Sequence, residues 1–457
     1  GTNAVDVTVA LDDARKGILI LTNATLAVDV DYAEEPADSG QYTFNGLLGE
    51  VNEVLSNLIY VVNESYQFPP DAPGNTTFDI TVVDSVLNQA SRELEIILQQ
   101  DRRNLLVTLE DDEVYPFDYP DIDEQNRPRV GTLRRAVQEA NNGDVITIAL
   151  PTYPATIRLS DDLGPLTLDR GVSIKGPGAD MLTISGDSDG NGTPDMQIMR
   201  VFSWVTLEGM TFADGAARNG GAISVATTNP VPGITQVGKL TMRYCAVENS
   251  EALQWGGAVD VDGGGLTALG CLFRDNATGS TLGLGGGAIS LWTDEACAFV
   301  NCTFSGNVQA GPSGYGGGAI YGENRTVSTV LPVEVTHCTF ADNVDVPYWG
   351  SSLSANAFGT RFTVKSSVFA DGQGRNLWVQ GAGEIISDGG NLSDDATRAV
   401  LTQGGVPQEV ILLDAADDQV SVDPRLAALD TAMRPTALYP IEPGSPAVAA
   451  ATDVSQP

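Results

Sequence analysis

From about residue 200 onward, apolar positions come in short clusters divided by Gly, Asn and Ser, not at the three-to-four spacing of an amphipathic helix. Aligning the clusters on Cys302 produces a column, Met210, Cys245, Cys271, Cys302, Cys338 and Ser367, recurring every 26 to 36 residues. Two residues after each member stands an apolar side chain: Phe212, Val247, Phe273, Phe304, Phe340 and Phe369. Five residues after each stands a bend former: Gly215, Ser250, Asn276, Asn307, Asn343 and Gly372. Five and three residues ahead lie apolar pairs, Val205/Leu207, Leu240/Met242, Leu266/Ala268, Cys297/Phe299, Val333/Val335 and Phe362/Val364. GGA followed by Ile or Val separates the units at 220–223, 256–259, 286–289 and 317–320, with GSSL at 350–353.

Each unit therefore holds three short stretches of alternating pattern, typified by GGAIS, VEV and CTF, each too short to bury an apolar face alone. Stacking successive units ~4.8 Å apart pairs every stretch with its equivalents above and below. The expected fold is all-β, a right-handed parallel β-helix, with Val, Leu, Ile and Phe stacked in interior ladders. The Asn column is expected to supply left-handed bends and GGA a close turn. Four cysteines share one inward column, so they read as a ladder of buried thiols. Cys297 lies in a different strand from Cys302, which argues against a bridge between them. His337 is the single histidine, too few for a zinc cluster, and reads as structural.

Residues 1–109 lack the repeat. Strand-like runs lie at 5–11, 16–22, 77–84 and 92–98, and Val51, Val54, Leu55 and Leu58 fall on one helical face. These runs mark a separate, strand-rich module. The acidic, proline-bearing stretch 110–128 reads as a linker, leaving 129–457 for the β-helix.

Charge changes the list of partners. A net charge of −36 would repel phosphate, which excludes nucleic acid, and suits extracellular or saline surroundings and divalent cations. No run of 18 apolar residues spans a membrane, and any signal peptide is expected to be already removed. Asn23, Asn75 and Asn276 begin glycosylation triplets.

Two clusters suggest chemistry. In DSDGNGTPD (187–195), Asp187, Asp189 and Asn191 occupy positions 1, 3 and 5 of a calcium loop. Gly192 turns it, Thr193 offers a carbonyl and Asp195 follows at position 9. Ile198 stands where a bidentate Glu belongs, so both a calcium loop and a solvated Asp/Gly turn are open readings. On the GGA stretches, alternation sends Asp260, Asp262, Trp292, Tyr321 and Glu323 outward, where acids beside aromatics suit contact with a glycan. Asp262 and Glu323 would lie two units apart, ~10 Å, at the long end of the separation for inverting glycoside hydrolysis. No Arg or Lys stands in that outward column to act as a lyase base.

GGA[ILV] alternating with FRDN, FSGN and FADN resembles the polymorphic outer-membrane protein family and related secreted bacterial β-helices. GTLRRAVQEANNGDVITIAL (131–150) is similar to the start of such domains. There a short helix, here with Leu133, Ala136, Val137 and Ala140 inward, covers the open end of the coil. DPRLAAL (423–429) and PGSPAVAA (443–450) resemble their closing segment. The resemblance covers roughly 129–450 and implies a secreted or cell-surface bacterial protein. The front third, with F-x-G, a short helix, L-x-Y and a strand ending VVD, resembles the cadherin-like repeats of bacterial surface proteins, which implies a small β-sandwich over 1–109. Together these imply a non-enzymatic structural or adhesive protein that associates with itself or with other surface proteins in a filament or layer. The alternative is a β-helix that binds or degrades polysaccharide.

Overall fold

The computed structural model describes residues 103–447, apart from breaks at 114–128, 232–233, 280–283, 312–315, 327–328, 347–349, 357–358, 404–405 and 431–437. Before them it describes segments 4–11, 17–21, 33–34, 41–47, 58–62, 75–84 and 88–97. The chain divides into two compact units, 1–102 with 228–236 and 103–227 with 237–457.

In the first unit, β-branched runs form an antiparallel sheet in the order Ala33–Glu34, Gln41–Leu47, Ala4–Leu11, Asn75–Asp84, Gln89–Ile97. Val7, Val9 and Leu11 alternate along one strand and are buried with Phe78, the period-2 signature of a half-covered sheet. A separate antiparallel pair joins Gly17–Leu21 to Leu58–Val62. Leu58 thus opens a strand instead of ending a helix, and residues 48–57 lie outside the described residues.

The second unit starts earlier than residue 129. Asn104–Val107 pairs in parallel with Val145–Ile148, because Leu105 and Val107 supply an apolar pair that the new sheet can bury. Of the expected linker, 110–113 are described, and Asp112 is not solvated. It accepts two bonds from buried Arg134, at 2.8 and 2.6 Å. Helix α1 (Leu133–Glu139) is capped by the Thr132 hydroxyl and buries Leu133, Ala136 and Val137 against the first strands of the unit.

From there the chain runs in circuits, each adding one strand to each of three parallel sheets. A leading sheet of eleven strands carries the Val205/Leu207 type of pair, a cysteine sheet of ten carries the CTF stretches, and a GGA sheet carries Ile223, Val259, Ile289, Ile320 and Leu353 in register. Two circuits precede Met210, with Ala155 and Leu182 in its column. A fourth, short sheet turns the corner from cysteine to GGA sheet through Ala216–Asn219, Glu251–Trp255, Ala277–Thr278, Val308–Gln309 and Val344–Asp345. The core is a set of ladders between the sheets. Phe273, Phe304, Phe340 and Phe369 stack at ring-centroid distances of 4.9, 4.7 and 5.0 Å, one strand spacing.

The Asn column does not have the expected role. The left-handed residues are those just before it, Asn249, Asp275 and Asp342, at φ 51°, 54° and 60°. Asn276, Asn307 and Asn343 turn inward and are buried. Each Nδ2 donates to a carbonyl of the preceding circuit, Val247, Phe273 and Phe304 at 2.9, 2.9 and 3.0 Å. The Oδ1 of Asn307 and Asn343 also accepts from the backbone N–H of the Asn one circuit back, at 3.2 and 3.0 Å. A side chain replaces the backbone pairing that the corner interrupts, which meets the demand that buried amides be bonded. Asn276 is accordingly no glycosylation site.

All five cysteines are free and buried. Cys245, Cys302 and Cys338 donate weakly to Leu207, Ala268 and Phe299 carbonyls at 3.5, 3.4 and 3.3 Å. Burial pushes the Cys245, Cys271 and Cys302 thiols well up, and Cys297 up to about 12. In these four, burial disfavours thiolate, the reactive form, at neutral pH. The folded protein is expected to give no reaction with a disulfide reagent over hours, and all five thiols at once in denaturant. A thiol titrating in the native state would show that the column opens.

Candidate functional site

Two places gather polar side chains away from the ladders. The first is the turn after Leu182–Ser185. Here Asp187, Asp189 and Asp195 bring carboxylate oxygens within 4.8 Å of one another. The turn is held by its own donors. Asp187 accepts from the amides of Gly190, Asn191 and Gly192 at 2.9, 3.0 and 3.0 Å, and from Arg158 at 3.3 Å. Burial pushes the Asp187 carboxyl up, but these three amides and the Arg158 guanidinium outweigh it and hold the carboxyl below its ordinary value. Ser188 donates twice to Asp195, at 2.9 and 2.8 Å. Asn191 Oδ1 is taken by the Thr193 amide and hydroxyl. Ile198, in the place of the twelfth-position Glu, is buried in the core. A divalent cation here would have to displace Arg158 and recruit oxygens already bonded.

The second is on the outer side of the GGA sheet. Register places Ser224, Asp260, Ser290, Tyr321 and Ser354 in one outward column, and Asp262, Trp292 and Glu323 in the next. Outward does not mean solvated in the first column: Asp260, Ser290 and Tyr321 are 7%, 1% and 2% exposed. A strand pair, Gly285–Gly286 with Gly316–Gly317, lies over it, and the Gly286 amide donates to Ser290 Oγ at 2.9 Å. Gly285, at φ +74°, is pressed so closely on Ser290 and the Trp255 ring that a Cβ would collide with both. Trp255, from the corner sheet, sets its ring 5.9 Å from that of Tyr321.

What stays open is a cleft of about 560 Å³ lined by Asn219, Trp255, Asp260, Asp262, Leu284, Trp292 and Glu323. Trp292 is 43% exposed, an apolar ring turned to solvent. Tyr321 donates to Glu323 at 2.8 Å, fixing that carboxylate, and Asn356 donates in turn to the Tyr321 oxygen. The expectation that no Arg or Lys stands in the outward column does not hold: register puts Arg200 beside Ser224 in the first column. Arg325, two residues beyond the strand that carries Glu323, places its guanidinium 5.1 Å from the Trp292 ring centre and 3.9 Å from Asp262. Burial pushes the Asp260 carboxyl up to about 8, with the Asp262 charge adding to it. The buried Asp260 carboxyl therefore favours its protonated form.

Of the sequence-derived site residues, Asp260, Asp262, Trp292 and Glu323 line one cleft and Tyr321 supports it from beneath. Asp187, Asp189 and Asp195 converge, while Asn191 and Thr193 bond each other. The cleft residues not foreseen are Trp255 and Asn219, both from the corner sheet, Leu284, and Arg325 at its margin. Compared with protein-family models and with curated proteins, the chain matches none.

Proposed function

We propose that this chain is an extracellular adhesive protein: a right-handed parallel β-helix, preceded by a cadherin-like module, that holds a glycan in the Trp292 cleft. The observation that carries the glycan reading is the cleft itself. An exposed indole flanked by carboxylates on a rigid, in-register sheet is the combination that stacks on a sugar ring and bonds its hydroxyls. The in-register ladders favour a stiff shaft or subunit of a surface layer, with further copies or other surface proteins as partners. Titrating the protein with a panel of oligosaccharides should quench tryptophan fluorescence, and Trp292→Ala should weaken binding at least tenfold, the loss of one stacking contact. Binding unchanged in Trp292→Ala would move the site elsewhere.

Calcium at Asp187, Asp189 and Asp195 is a separate proposal, supported by their convergence and opposed by Arg158. A calorimetric titration should show heat that Asp189→Asn abolishes and Arg158→Gln strengthens; no heat up to millimolar calcium would dismiss it.

A further inference from the structure

Trp292 does not stand alone on its strand. The Arg325 guanidinium lies 5.1 Å from its ring centre, inside the ~6 Å range of a cation–π contact. It is also 3.9 Å from Asp262, which register sets beside Trp292 one strand back. At that length the ion pair is not a hydrogen bond, and both side chains are more than a third exposed. Such a pair by itself holds an arginine weakly. A third group completes the seat. Gly263, in the left-handed region at φ +75°, lies so close to the guanidinium that any Cβ there would collide with it. Thr227 Oγ1 donates to the Gly263 carbonyl and fixes that backbone. An aromatic ring, a carboxylate and a bare glycine make a slot shaped for a planar cation.

The slot and the cleft lie on opposite sides of the ring. Asp260 and Asp262 belong to the strand Val259–Asp262, Gly263 follows it, and the Trp292 strand runs parallel to it. Asp260 and Asp262 line the cleft with Trp255 and Trp292, whereas neither Gly263 nor Arg325 does. The guanidinium therefore meets the indole from the Gly263 side and leaves the Asp260 side, which faces the cleft, exposed.

Resting on the glycan reading above, we infer that Arg325 is a positioning residue: seated between Trp292, Asp262 and Gly263, it braces the indole so that the opposite face stands ready to stack on a sugar. It touches no sugar itself. A ring braced beforehand loses less freedom when the ligand arrives, and affinity gains by that saving.

Arg325→Ala empties the slot, and methylguanidinium then stands in for the missing side chain. Titrated at millimolar concentration into the sugar-free variant, it should change tryptophan fluorescence saturably, while the parent and Arg325→Ala/Trp292→Phe give no response. Among cello-, chito- and xylo-oligosaccharides, the one the parent binds best should bind Arg325→Ala about tenfold more weakly. Methylguanidinium should restore most of that loss, a rescue that no misfolded variant gives. Arg325→Lys, which keeps the charge without the planar fork, should fall between the two. No fluorescence response in Arg325→Ala overturns the slot. A slot that responds while the variant binds sugar as tightly as the parent overturns the positioning role and leaves the glycan site standing. Binding of none of the three sugars by the parent overturns the glycan reading and the positioning role with it, and is told apart by a slot that still responds.

Discussion

Replacing Asn307 with alanine is expected to cost about 3–5 kcal/mol of local stability, read as lost hydrogen-exchange protection in the strands around Phe273, Phe304 and Phe340. Asn307 sits at the middle of the ladder. Its Nδ2 donates to the Phe273 carbonyl and to Asn343 Oδ1, both at 2.9 Å, and its Oδ1 accepts from the Asn276 backbone and side chain at 3.2 and 3.0 Å. Alanine removes four hydrogen bonds and takes the side-chain partner from two buried backbone groups, the Phe273 carbonyl and the Asn276 amide, while Asn276 Nδ2 keeps the Val247 carbonyl and Asn343 Oδ1 keeps the Asn307 amide. Each orphan costs on the order of 1–3 kcal/mol, and partial relaxation makes the total smaller than their sum. Gly215 and Gly372 hold the equivalent position at the two ends of the column, and the Gly215 amide donates to Ser250 Oγ, the next member, at 3.1 Å. Protection unchanged in Asn307→Ala would mean the corners are held by backbone pairing alone.

The second large effect is a gain. Asp260→Asn should stabilise the fold by about 2–4 kcal/mol above pH 8 and leave it unchanged below pH 4. In the unfolded chain this carboxyl ionises near 3.8, and in the folded state at about 8. Between those values the folded state holds a proton the unfolded state has released. Stability therefore falls as pH rises through that window and is level above it. The full linkage is ~1.4 kcal/mol per pH unit of separation; an unbonded amide in the same place returns part of it. Thermal midpoints at pH 4, 6 and 8.5 give the slope directly. A parent whose midpoint climbs from pH 4 to 8 by as much as the variant's would show that Asp260 ionises normally.

How much of this was legible depended on whether a feature repeats. The cysteine and phenylalanine columns could be read because equivalent positions return in every circuit, and the structure pairs them residue for residue. The Asn column was visible too, but local propensity pointed to a left-handed bend. The sequence carries no sign that the strained residue is the one before, usually an Asp, while the Asn turns inward. The corner strands escaped because two residues, as in Ala277–Thr278, show no period. Trp255 and Asn219, which shape the cleft, come from those strands. Arg325 lies past the end of its strand, where alternation says nothing about direction, so the cleft looked more acidic than it is. Arg158 belongs to a neighbouring circuit of the 187–195 turn, and no motif confined to nine residues could have included it.

The cysteine column also changes character along its length. It runs from Ala155, Leu182 and Met210 through four thiols, then passes to Ser367, Asn391 and Asp418, whose side chains and amides bond one another: Ser367 N–H to Asn391 at 3.0 Å, Asn391 N–H to Asp418 at 2.9 Å. The last circuits thus exchange weak thiol contacts for full-strength hydrogen bonds, so that this end of the column is held by polar pairing where the middle is held by burial alone.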